Sequence, residues 1–141
     1  MTVSLLLVTH NEIGDSLLRT AVTTFGELPL SARAIGINYK GDPNELVITI
    51  KNFVSELDQG DGVLVLTDMF GSTPCNIAQK LRELNNVQVI SGVNLPMVIR
   101  VMNYPQLPLD LLAEKALTAG REGVMKCNIS PEIKGETIIK G

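Results

Sequence analysis

The stretch "VSLLLVTHNEIGDSLLRTAVTTFG" (residues 3–26) decides the fold. Its opening "VSLLLV" (3–8) is an apolar run without the alternation of a half-exposed strand, as expected of a strand covered on both faces. From Asp15 to Gly26 the period becomes helical. Leu17, Leu18, Ala21, Val22 and Phe25 fall on one face, and Gly26 suits the end. A buried strand followed by an amphipathic helix begins a parallel crossover unit. Between the two stands His10, the only histidine in the chain.

The same alternation continues outward. "ARAIGI" (32–37) reads as a strand. "GDPNELVITIKNFVSELDQG" (41–60) reads as a helix, with Asp42 as cap, Pro43 in the first position and Gly60 beyond the end. "GVLVLTD" (62–68) is another buried strand, "STPCNIAQKLREL" (72–84) a helix and "VQVISG" (87–92) a short strand. "NLPMVIRVMNY" (94–104) and "PLDLLAEKALTAGREG" (108–123) read as helices, and "VMKCNI" (124–129) as a last strand. The fold class expected is α/β: a doubly wound, mostly parallel sheet of order 2-1-3-4 flanked by helices. Residues 1–128 form the domain and 129–141 a surface tail.

Composition narrows the function. The chain has 141 residues, 45% of them apolar, which suits one domain with a real core. The net charge is −3, there is no tryptophan and only 4% of residues are aromatic. No basic stripe with interleaved aromatics is present, so nucleic acid is not the expected partner. "VSLLLV" is too short to span a bilayer and lacks the leader and cleavage site of a signal peptide, so a cytoplasmic protein without direct membrane insertion is expected. Cys75 and Cys127 then read as free thiols. No HExxH, CxxC or acidic calcium loop occurs, and neither a metal nor a cofactor is expected.

In a sheet of order 2-1-3-4 the first and third strands are neighbours, and the chain leaves them in opposite directions. That opens a crevice at their carboxyl ends, where His10 and Asp68 fall. In "TDMFGSTPCN" (67–76), Gly71 permits a tight turn, Ser72 or Thr73 can cap the helix, and Pro74 suits its first position. A helix start offers unpaired N–H groups and the positive end of a dipole to an anion. Should Asp68 accept the Nδ1–H of His10, Nε2 keeps the free lone pair and can attack. Nucleophilic imidazole, orienting carboxylate and anion cradle are the parts that phosphoryl transfer to histidine requires.

These residues resemble the IIA domain of the mannose family of the bacterial phosphoenolpyruvate-dependent sugar phosphotransferase system. Thr9-His10, the "D-x-F-G-S-T-P" of residues 68–74, "GVNLPM" (92–97) and "GREGV" (120–124) fall in the family's order and spacing up to about residue 128. The resemblance implies that His10 is phosphorylated through Nε2 and that Asp68 orients it. Ser72, Thr73 and backbone N–H groups around Gly71 would hold the phosphoryl oxygens. It implies HPr as phosphoryl donor, a IIB component as acceptor, and a homodimer in which the last strand, here 124–128, is exchanged. Asn11 stands where the family commonly has glycine, but asparagine still reaches left-handed angles. Gly71-Ser72-Thr73-Pro74 stands where the family often has Gly-Gly-Ser-Pro. No IIB domain lies within these residues, which leaves the acceptor open.

Two other readings compete. One keeps the phosphohistidine but makes the chain a regulatory module whose phosphorylation state controls binding to another protein. The other is a receiver phosphorylated on Asp68. A receiver expects an acidic pair after the first strand to hold Mg²⁺, and Thr9-His10-Asn11-Glu12 does not supply one.

Overall fold

The computed structural model describes residues 2–38 and 41–128. Its elements, in chain order, are β1 (Ser4–His10), α1 (Ile13–Phe25), β2 (Ala32–Ile37), α2 (Pro43–Leu57) and β3 (Val63–Thr67). They continue with α3 (Thr73–Lys80), a short 3-10 turn (Leu81–Glu83), β4 (Val87–Ser91), α4 (Leu95–Asn103) and α5 (Leu109–Glu122). The strands form one parallel sheet of order β2-β1-β3-β4, the doubly wound α/β architecture that the apolar runs predict.

Side-chain alternation splits the core in two. Leu5 and Leu7 of β1 with Leu64 and Leu66 of β3 pack against α1, α4 and α5. Leu6 and Val8 with Val63 and Val65 pack on the opposite face against α2 and α3. Residues 4–9 of β1 and all of β3 are buried, as expected of central strands in a sheet covered on both faces.

Two boundaries differ from the sequence reading in ways that bear on function. First, β1 runs through His10 rather than stopping at Val8, because Thr9 and His10 stand in register with Gly36 and Ile37 of β2. Second, residues 124–128 pair with no strand among the described residues, so the last strand expected there is not seen within one copy. The helices α4 and α5 between Ser91 and residue 124 are crossover enough for a parallel strand, so what is missing is contact with a sheet edge: residues 124–128 are all exposed. Val124 is 78% and Met125 71% exposed. Residue 129, the end of that expected strand, and the 129–141 tail lie outside the described residues.

The two glycine-bearing motifs "GVNLPM" and "GREGV" meet in space. The Asn94 side chain caps α4 by accepting the Met97 N–H at 3.0 Å and donates to the Gly120 carbonyl at 3.0 Å. A Cβ on Gly120 would lie 2.5 Å from Met97 Cε, and one on Gly123 2.6 Å from Pro96 Cβ and Cγ. The end of α5 therefore locks against the first turn of α4.

A candidate phosphoryl-acceptor site at the carboxyl edge of the sheet

The site is built where the chain reverses its winding. After β1 it passes to α1 on one face, and after β3 to α3 on the other, so the carboxyl ends of these neighbouring strands flank an open crevice. His10 is the last residue of β1 and Asp68 the first after β3. Asp68 Oδ2 accepts both the His10 main-chain N–H at 2.9 Å and a bond from ring Nδ1 at 2.7 Å. Asp68 Oδ1 accepts the Met69 N–H at 3.0 Å. The carboxylate thus bridges the two central strands as well as orienting the ring.

The electrostatics follow from those bonds. Burial pushes the Asp68 carboxyl up, but the hydrogen bonds from His10 and its own main chain outweigh it and hold the group below its ordinary 3.8. An ionised carboxylate only accepts hydrogen bonds, so Nδ1 must carry the ring hydrogen. In the neutral ring Nε2 then keeps a free lone pair. The Asp68 side chain is 12% exposed, whereas the His10 side chain is 41% exposed, so the orienting group is shielded while the ring stays open to a partner.

The turn after His10 is braced from both sides. The Thr9 hydroxyl, fully buried, accepts the Gly14 N–H at 2.8 Å and so satisfies a donor of the first turn of α1. Asn11 adopts φ 44°, the left-handed region expected of it, and donates its N–H to the Ile37 carbonyl at 3.3 Å. Beside this turn a groove of about 570 Å³ runs along α1, lined by Asn11, Glu12, Ile13, Ser16, Thr20 and Leu95 among others.

The start of α3 follows Asp68 by a short loop. Gly71 has φ 82°, so the tight turn expected there is present. Ser72 is the N-cap, but its hydroxyl donates to the Met69 carbonyl at 2.6 Å rather than capping the helix. Thr73 is exposed in the first position of α3. Pro74 has no N–H, Asn76 donates to Ser72 O at 2.8 Å, and the N–H groups of Thr73 and Cys75 meet no main-chain acceptor among the described residues. This leaves donors available at the positive end of α3.

Several features here escaped the sequence reading. Met69 and Phe70, 60% and 77% exposed, put apolar surface on the loop beside Asp68. A large aromatic in a glycine turn was the available signal. Thr67 is fully buried with its Oγ1 unpaired, which periodicity cannot reveal. Among the described residues no group of three or more His, Cys, Asp or Glu side chains stands close enough to hold a metal. There too, no helix is long and apolar enough to cross a membrane.

Comparison with known proteins places the chain in a family. The family described as "PTS system fructose IIA component" (EIIA-man) matches residues 4–111. The mannose-specific EIIAB component of Escherichia coli K12 is 31% identical over 137 residues, covering 93% of this chain but 41% of that protein. The chain therefore spans about two fifths of that relative. Among solved structures, the mannose/sorbose-specific IIA subunit of Enterococcus faecalis superposes with a TM-score of 0.81 at 24% identity, covering 93% of this chain and 98% of that one. The IIA protein associated with the fucose utilization operon of Streptococcus pneumoniae gives 0.76 at 25% identity, covering 89% and 93%. With a family match across most of its length and this fold, the chain belongs to the mannose-family IIA components of the sugar phosphotransferase system.

Proposed function

We propose that the chain is a phosphocarrier. It accepts a phosphoryl group from the phosphohistidine of HPr onto Nε2 of His10 and passes it to a IIB component in sugar uptake. The observation that carries this reading is the 2.7 Å bond between Asp68 Oδ2 and His10 Nδ1, which leaves the free lone pair on Nε2 of a half-exposed ring. The Nε2 pair attacks phosphorus in line. The P–N bond of the donor breaks, and its electron pair returns to the donor imidazole. As the new bond forms, positive charge spreads over the His10 ring toward Nδ1–H, where the Asp68 carboxylate stabilises it. The unpaired N–H groups of Thr73 and Cys75, with the hydroxyls of Ser72 and Thr73, supply donors for the phosphoryl oxygens, and Gly71 shapes the turn that presents them. Ser72 must turn its hydroxyl away from Met69 to take part. The reverse chemistry hands the group to the acceptor, and both steps belong in the cytoplasm.

Incubation with phosphoenolpyruvate, enzyme I and HPr tests the reading. The full chain is expected to gain one acid-labile phosphoryl group and lose it when a IIB component is added. The His10→Gln variant is expected to gain none. A wild-type chain left unmodified beside a competent control IIA protein would refute the reading.

A further inference from the structure

We infer that Gly36 is a positioning residue for His10, acting through the carbonyl of Asn11. This rests on the reading of His10 as phosphoryl acceptor and adds a residue on the neighbouring strand to it.

His10 stands opposite Ile37 of β2, and Thr9 opposite Gly36. Immediately after His10 the chain turns through Asn11 at φ 44°. The turn is held on its β2 side by the Asn11 N–H bond to the Ile37 carbonyl at 3.3 Å. It lays the Asn11 carbonyl directly on Gly36. A Cβ at Gly36 would overlap that carbonyl oxygen and lie 3.0 Å from its carbon and 3.5 Å from Asn11 Cα. All three atoms are main chain, so no side chain can swing aside to relieve the overlap. β2 is an edge strand, but it is paired with β1 over all of residues 32–37, whereas the turn after His10 is held to it by the one Asn11–Ile37 bond, so the turn is the part that gives way.

His10 is thereby fixed from two directions. On the β3 side Asp68 Oδ2 holds its N–H and Nδ1 at 2.9 and 2.7 Å. On the β2 side Gly36 and Ile37 seat the residue that follows it. Lifting the Asn11 carbonyl off β2 rotates the Asn11 backbone and loosens its bond to Ile37. That frees the His10 backbone to pull away from Asp68. Displacement of a reacting group by about 1 Å can cost on the order of 10²-fold in rate.

The test is Gly36→Ala, alone and combined with Asn11→Gly. Glycine at position 11 can turn its carbonyl away from β2 without strain, so the double variant removes the overlap while keeping the Cβ at position 36. Two readouts are taken: the ring ¹⁵N spectrum of His10 in the resting protein, and phosphoryl transfer from phospho-HPr at varied donor concentration. Gly36→Ala is expected to shift the Nδ1 and Nε2 resonances and to lower kcat on the order of 10²-fold, with a smaller effect on KM because the change acts on the placement of the ring. The double variant is expected to restore the wild-type ring signals and most of the rate. Wild-type signals and rate in Gly36→Ala would overturn the inference, as would a defect that Asn11→Gly does not relieve. If Gly36→Ala is insoluble, recovery of a soluble, active double variant supports the inference and failure to recover overturns it. A wild-type chain that takes no phosphoryl group would instead defeat the phosphocarrier reading, and the ring spectra would still decide the positioning claim.

Discussion

At the scale of single residues, Asp68 bonds both the backbone and the ring of His10. Asp68→Asn is expected to slow transfer from phospho-HPr on the order of 10²–10⁴-fold, because an amide can present the wrong hydrogen-bonding partner to Nδ1 and carries no charge to stabilise the ring. A single-turnover rate within about twofold of wild type would remove Asp68 from this role. The same carboxylate makes a pH prediction. Its folded pKa lies below 3.8, so its contribution to stability is full above that ordinary value and is lost as pH falls through the lowered one. Urea titrations at pH 7 and pH 3 should show wild type losing part of its advantage over Asp68→Asn in acid, and an unchanged gap would contradict the assignment. Thr67 offers an independent check. Replacing its unpaired, buried hydroxyl by the methyl of Thr67→Val should raise stability by about 1 kcal/mol, read from the urea midpoint. His10, Asp68 and Gly71 were legible in the sequence because strand ends and turn chemistry mark them. The bond from Ser72 to Met69, the orphaned Thr67 hydroxyl and the approach of Asn11 to Gly36 were not, since each depends on how neighbouring segments lie against one another.

At the scale of elements, strands and helices were readable because their apolar residues keep a clean period. α2 starts where its cap chemistry says it should, with Asp42 accepting the Asn44 N–H at 2.9 Å. The helix expected over 72–84 instead tightens into a 3-10 turn at Leu81–Glu83, a common way for a helix to finish. The segment 124–128 shows the limit of pattern reading, since a strand needs an edge and a path to reach it as well as the right residues. The α4–α5 lock makes a discriminating prediction. At Gly120 an added methyl meets the flexible tip of Met97, and alanine is the better helix former by about 1 kcal/mol, so Gly120→Ala should be nearly neutral. At Gly123 the methyl meets the rigid Pro96 ring, so Gly123→Ala should cost about 1–3 kcal/mol through overpacking. Equal midpoints for the two variants in urea would argue against the lock as described.

At the scale of the whole molecule, the open edge of β4 and the unpaired 124–128 segment pose one question. Every residue of β4 is only half-buried, whereas β3 is wholly buried. An uncovered edge strand invites pairing with another chain. We propose a homodimer in which 124–128 of each copy adds to the partner's sheet, an isologous exchange. Deleting 124–141 should give monomers or insoluble protein, and deleting 130–141 should leave the dimer. Light scattering showing a monomeric full chain at micromolar concentration would contradict the exchange.

The central claim, that Asp68 holds His10 so that Nε2 is the phosphoryl acceptor, is tested most directly by labelling the histidine ring with ¹⁵N and recording its resonances before and after treatment with phospho-HPr. The account predicts a resting ring protonated at Nδ1 and a product carrying phosphorus on Nε2, with Nδ1–H retained against Asp68. Phosphorus on Nδ1, or a phosphorylated chain whose ring resonances do not change, would contradict it.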